Sequence, residues 1–152
     1  MKLSRWLQVV VTAAVFTSVT PAYAFDSTLP RDQQIAYINQ TYMPRFDSEL
    51  TRLTAIKTKM SSDPGLWAQY KAFLADYTGS VNTIKEALAN PTADLSTTDD
   101  FATEEVGEFD NTVYLLEQMA AKVKSITCVK GKTSKIVLGL KPVCPKGYIK
   151  KK

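Results

Sequence analysis

The sequence predicts a mainly α chain: an antiparallel three-helix bundle, its first helix kinked or split at Pro44, followed by a small disulfide-closed C-terminal β-hairpin. Three observations predict it. Apolar residues recur every three or four positions through three long segments, the spacing of one buried helix face. Breaks rich in Pro, Ser and Asp separate those segments. Beyond residue 125 the pattern changes to short β-branched runs with Gly, Pro and two cysteines. The 152 residues, 45% hydrophobic and 22% charged, suit one globular domain. The expected division is a signal peptide over 1–24, a helical bundle over 25–125 and a basic hairpin and tail over 126–152.

The leader comes first. Lys2 and Arg5 give a positive start, and the run WLQVVVTAAVFTSV is mainly apolar. Pro21 and then Ala22-Tyr23-Ala24 follow, the small-x-small pattern of a signal-peptidase site. A spanning helix needs roughly 20 apolar residues, and this run is shorter. Cleavage after Ala24 is expected, leaving a secreted chain with no transmembrane span and with an association to the cell envelope.

The first helix should begin near Leu29-Pro30-Arg31-Asp32, with Pro in the first turn and an acid favourable to the helix dipole. Ile35, Ile38, Tyr42, Phe46, Leu50, Leu53, Ile56 and Met60 form its stripe. A mid-helix proline loses a hydrogen bond and crowds the preceding turn. Pro44 should therefore kink this helix or open a second one.

Ser61-Ser62-Asp63-Pro64-Gly65 ends it. Asp63 can cap the second helix and Pro64 can fill its first turn. Trp67, Tyr70, Leu74, Tyr77, Val81, Ile84 and Leu88 then make a heptad seam, and Asn90-Pro91 closes the helix. A polar loop is expected over residues 91–100, with the third helix starting near Asp99 or Asp100. Val106, Phe109, Val113, Leu116, Ala120 and Val123 are its stripe. Short breaks between amphipathic helices imply antiparallel neighbours.

Residues 126–130 and 135–138 read as two strands around Gly131-Lys132-Thr133-Ser134. Pro142, Pro145 and Gly147 favour an irregular ending. An isolated hairpin is marginal in water. Cys128 and Cys144 can fasten it, since an even cysteine count in an exported chain fits a disulfide. Closing a loop of about 15 residues stabilises by roughly 3 kcal/mol.

The tail carries a resemblance. Its residues ITCVKGK (126–132) and PVCPKGY (142–148), with Lys150, Lys151 and Lys152, resemble a C-terminal module shared by many small secreted proteins of actinobacteria. The resemblance implies an exported protein with a reusable basic ending for envelope attachment or sorting. It implies no catalytic activity and does not extend to the helical body.

Charge is divided the same way. Residues 25–121 hold 7 basic and 15 acidic residues, a net of −8, while residues 122–152 hold 10 lysines and no acid. Lys130, Lys132, Lys135, Lys141, Lys146, Lys150, Lys151 and Lys152 are the candidate polyanion-binding residues, for an anionic cell-wall polymer or a membrane surface. The competing reading has the lysines only solubilise the tail or contact the acidic body. A nucleic-acid partner is not expected, because Tyr148 is the sole aromatic nearby for base stacking.

The chain contains no His, which excludes Ser-His-Asp and Cys-His catalysis and His-ligated metals. Two cysteines cannot complete a four-thiolate site. Asp94, Asp99, Asp100, Glu104, Glu105, Glu108 and Asp110 are the densest acids. An EF-hand register from Asp94 fails at its sixth position, where Asp99 stands in place of glycine. No metal, cofactor or catalytic residue is assigned. Trp67, Tyr70, Tyr77 and Phe109 are a candidate ligand wall, with core packing the competing reading. The expected role is a non-catalytic envelope-associated interaction module. Alternatives are an extracellular small-ligand-binding bundle and a hydrolase using the acidic cluster.

Overall fold

A computed structural model describes residues 24–151. The expected signal peptide therefore lies outside the described residues, apart from Ala24, and so does Lys152. Three helices, α1 (Arg31–Met60), α2 (Pro64–Ala89) and α3 (Leu95–Ala121), precede three strands, β1 (Lys124–Lys130), β2 (Thr133–Gly139) and β3 (Ile149–Lys150).

Helix α1 runs as one element through Pro44, so Pro44 does not open a second helix. Proline here removes the bond that its amide would give the Gln40 carbonyl. Gln40 and Pro44 both face solvent, where water can satisfy that carbonyl. The α1–α2 turn is as short as the sequence implies. Asp63 accepts hydrogen bonds from the amides of Gly65 (2.9 Å) and Leu66 (3.2 Å), and Pro64 occupies the first turn of α2.

Helix α3 begins at Leu95, earlier than the expected Asp99 or Asp100. Asp94 is its cap, accepting from the Ser96 amide at 2.9 Å. Leu95 and Thr98 are buried in the core and hold this first turn against the bundle. Arg31 braces the α2–α3 connection from the start of α1. Its guanidinium donates to the carbonyls of Ala93 (2.8 Å), Ala87 (3.4 Å) and Asn90. Carbonyls at a helix C-terminus lack intrahelical partners, and a cation there also meets the negative end of the dipole.

The core runs the length of the bundle, with Ile38, Leu53, Met60, Ile84, Val106 and Val113 fully enclosed. Phe46, Phe73, Tyr77 and Phe109 fill its middle, with ring centroids 5.3–6.5 Å apart in edge and tilted arrangements. Such pairs add to the burial of their area. Helices α1 and α3 run parallel and are joined on the surface by Arg52. Its Nε and Nη2 donate to Glu117 Oε1 (3.0 Å) and Oε2 (2.8 Å), and Nη1 pairs with Asp110.

The C-terminal part is a three-stranded antiparallel sheet in the order β2-β1-β3. The expected four-residue loop contracts to Gly131-Lys132, because Lys130 pairs with Thr133. Gly131 has φ +57° and Lys132 has no positive φ, the pattern of a type II′ hairpin turn. The ending is also more ordered than its prolines implied. Ile149 pairs with Val129, Lys150 with Cys128, and the Lys151 amide donates to the Thr127 carbonyl at 2.8 Å. The sheet caps one end of the bundle. Leu138 packs on the helical core, and Ser62 and Asp63 of the α1–α2 turn line a cleft of about 420 Å³ with the residues of β2 and the segment after it.

Candidate functional site

The basic sheet is organised around Cys128. This residue is fully buried at the centre of the sheet and bonded to Cys144, with Cα atoms 5.6 Å apart. Side chains alternate faces along a strand. The register therefore puts Lys124, Lys130, Lys135 and Lys150 on the face of Cys128. The disulfide draws the segment between β2 and β3 across that face. There Lys135 Nζ lies 5.3 Å from the centre of the Tyr148 ring, a cation–π contact. Gly147 has φ +84° and passes close to Lys130, whose Nζ would be 3.4 Å from an added Cβ. Gly131 and Gly147 thus both supply left-handed backbone, which side chains other than glycine rarely adopt.

Of the eight candidate polyanion-binding lysines, Lys130, Lys132, Lys135, Lys141, Lys146, Lys150 and Lys151 are exposed, and Lys152 lies outside the described residues. Lys122 and Lys124 are exposed beside them. Both ion pairs found among the described residues belong to Arg52, so no tail lysine there pairs with an acid of the body. Glu117, the acid nearest the sheet in the chain, is held by Arg52, which keeps its carboxyl below the usual range. The acids at the start of α3 lie at the other end of a 27-residue helix, about 40 Å away. That is several times the Debye length of about 8 Å at physiological salt, so the tail's field is not cancelled from there.

The opposite face of the sheet is different. Thr127, Val129, Ile136 and Ile149 share it, and Ile136 and Ile149 are 72% and 71% exposed. Sequence reasoning missed Ile149 because Pro145 and Gly147 masked a two-residue strand.

The candidate ligand wall is two packed pairs. Trp67 stacks on Tyr70 at 5.2 Å, and Tyr77 lies 5.4 Å from Phe109. Tyr70, Tyr77 and Phe109 are buried in the core, and the Tyr77 hydroxyl donates to the Phe46 carbonyl at 2.7 Å. Burial pushes the Tyr77 hydroxyl up to about 12. Trp67 is half-buried, and Tyr77 also lines a cleft of about 210 Å³ with Met43, Phe46 and Val81. A cleft with a largely apolar lining, about 360 Å³ in volume, lies elsewhere, between Thr83, Ile84 and Ala87 of α2 and Thr97, Thr98 and Phe101 of α3.

The acidic cluster disperses. Asp94 caps α3, and residues 95–105 are helical, so a calcium-binding loop cannot form from Asp94. Asp99 accepts from the Tyr42 hydroxyl at 2.7 Å, and burial raises its carboxyl above the usual range. Asp100, Glu104, Glu108 and Asp110 face solvent. Among the described residues no three acidic or cysteine side chains converge as a metal site.

One acid was unforeseen. Glu49 is 4% exposed and takes the core position between Phe46 and Leu53 that the sequence assigned to Leu50, while Leu50 is 39% exposed. Glu49 Oε2 has no hydrogen-bond partner. Burial, then repulsion from Asp110, pushes its carboxyl up to about 7, against the pull of Arg45 and Arg52. The signal was present, since the interval from Phe46 through Glu49 to Leu53 also fits helical spacing.

No helix among the described residues is long and apolar enough to cross a membrane. Against known proteins, neither a family model nor a curated protein nor a solved structure matches this chain.

Proposed function

We propose that this is an exported, non-catalytic interaction protein whose C-terminal sheet holds it to a polyanionic cell envelope while the helical bundle faces outward. One observation carries the reading: ten lysines without a single acid over residues 122–152, in and around a sheet fastened by Cys128–Cys144, with none of the described ones paired with the acidic body. Concentrated exposed charge raises the local density of oppositely charged surface and speeds encounter with it. The apolar leader at 1–24 and the disulfide fit the same reading, because disulfides persist outside reducing compartments. So does the resemblance of the tail to a module of small secreted actinobacterial proteins. The dispersal of the acids speaks against the hydrolase alternative, since glycoside hydrolysis needs two carboxyl groups set opposite each other.

Cell fractionation tests it. Truncation after Lys124 should release the protein into the medium, and high salt should release the intact protein, because salt screens exposed charges. Cell association unchanged in both experiments rejects electrostatic retention. A second reading, capture of a small apolar ligand by the bundle, draws support from the apolar cleft between α2 and α3. Saturable binding of a fluorescent apolar probe, abolished by Ala87→Arg, would favour it.

A further inference from the structure

We propose that the uncovered face of the C-terminal sheet docks on a bilayer containing anionic phospholipids, with Ile136 and Ile149 entering the headgroup boundary and the surrounding lysines meeting the phosphates. The proposal rests on the polyanion-binding reading and names its partner.

The two faces of the sheet are finished differently. One carries the disulfide and is crossed by the segment that ends at Tyr148. The other is covered only near the bundle, where Leu138 packs on the core. Beyond Leu138, Ile136 and Ile149 flank β1 from either side, with Val129 half-buried on the central strand. An antiparallel sheet can turn one face to water, but that face is ordinarily polar. Here each outer strand exposes an isoleucine on that face, Ile136 at 72% and Ile149 at 71%.

Lysines rim this apolar face. Lys132 stands at the hairpin turn, and Lys151 follows Ile149 by two positions, on the same side. Lys135 and Lys150 belong to the two outer strands and point to the other face. The long stem of Lys150 lets its ammonium group reach round the edge while its methylenes lie along apolar surface, whereas the Lys135 ammonium stays over the Tyr148 ring. A hydrated anionic polymer would satisfy these lysines and leave the isoleucines in water. A bilayer interface satisfies both: its headgroups attract lysine and its acyl boundary accepts isoleucine. The charge complementarity is large, since residues 122–152 carry 10 lysines and no acid.

The test uses the disulfide-bonded protein with three probes: vesicles of mixed phosphatidylglycerol and phosphatidylcholine, vesicles of phosphatidylcholine alone, and soluble long-chain polyphosphate. The protein should bind the mixed vesicles and the polyphosphate but not the neutral vesicles. Ile136→Ser with Ile149→Ser should weaken mixed-vesicle binding at least about tenfold and leave polyphosphate binding unchanged. Lys132→Gln with Lys151→Gln should weaken both, by roughly fivefold per lysine at the vesicle. Ile149→Trp should show indole emission quenched by brominated lipid, with Trp67 of α2 as the unquenched internal reference. Polyphosphate binding without vesicle binding overturns membrane docking and leaves the polyanion reading standing. Binding to neither overturns both. Equal vesicle binding by the double serine variant, or an unquenched Ile149→Trp, overturns insertion of this face.

Discussion

Replacing Glu49 with glutamine should abolish a fall in stability that the protein suffers as pH rises from 4.5 to about 7. Folding moves this carboxyl upward because burial penalises its ionised form and Asp110 repels it. Between those two values the folded state holds a proton that the unfolded chain has released. The unfolded state then binds fewer protons, so stability decreases with pH. The penalty is absent below pH 4.5 and complete above about 7. A displacement of that size corresponds to about 3 kcal/mol, a large part of a typical domain's total stability of about 5–15 kcal/mol. Glutamine keeps the shape and stays neutral. Urea denaturation at pH 4 and pH 8 measures the effect. The variant should match the parent at the lower pH and exceed it by up to about 3 kcal/mol at the higher. Parallel stability curves for the two proteins would refute the reasoning, because they would mean that Glu49 ionises equally in the folded and unfolded states.

Three further perturbations probe other elements. Removing the disulfide with Cys128→Ala and Cys144→Ala should cost the sheet about 3 kcal/mol; amide exchange at Val129 and Ile136 should accelerate while the helices keep their circular dichroism. Gly147→Ala forces a side chain into φ +84° and against Lys130, at a cost of about 1–2 kcal/mol. Unchanged exchange protection at Ile149 would contradict that cost. Asp63→Ala removes the acceptor for the Gly65 and Leu66 amides, and should lower the chemical-denaturation stability by about 1 kcal/mol.

The helical framework was legible because its signals are local. Tyr70, Tyr77, Val81 and Ile84 recur at helical spacing, and each is buried. Asp63-Pro64 states a helix start in two residues, through a side-chain acceptor and a preset φ. The start of α3 was hidden because Ser96, Thr97 and Thr98 resemble a loop. What fixes that turn is Asp94 together with the burial of Leu95 and Thr98 against the bundle, a tertiary effect. Leu50 and Glu49 exchange their expected places for a related reason. Both fit the stripe in phase, and a rule that prefers the apolar residue cannot register how α1 is rotated against α3. Strand β3 is two residues long and pairs with a strand some twenty positions earlier, so no local pattern announces it. Of the candidate site, the lysines and the cystine were plain in the sequence. The apolar underside became visible only once the β1–β3 register was known, because Ile149 has no meaning until Val129 stands beside it.

The separation of acids at the start of α3 from lysines beyond its end makes the molecule electrically bipolar. Near any negatively charged plane, such a body experiences a torque as well as a pull. The cationic pole turns inward, the anionic pole is pushed away, and the long axis stands upright. Within about a Debye length of that plane the orientation follows from charge, and the connection between α2 and α3 that Arg31 braces points away from it.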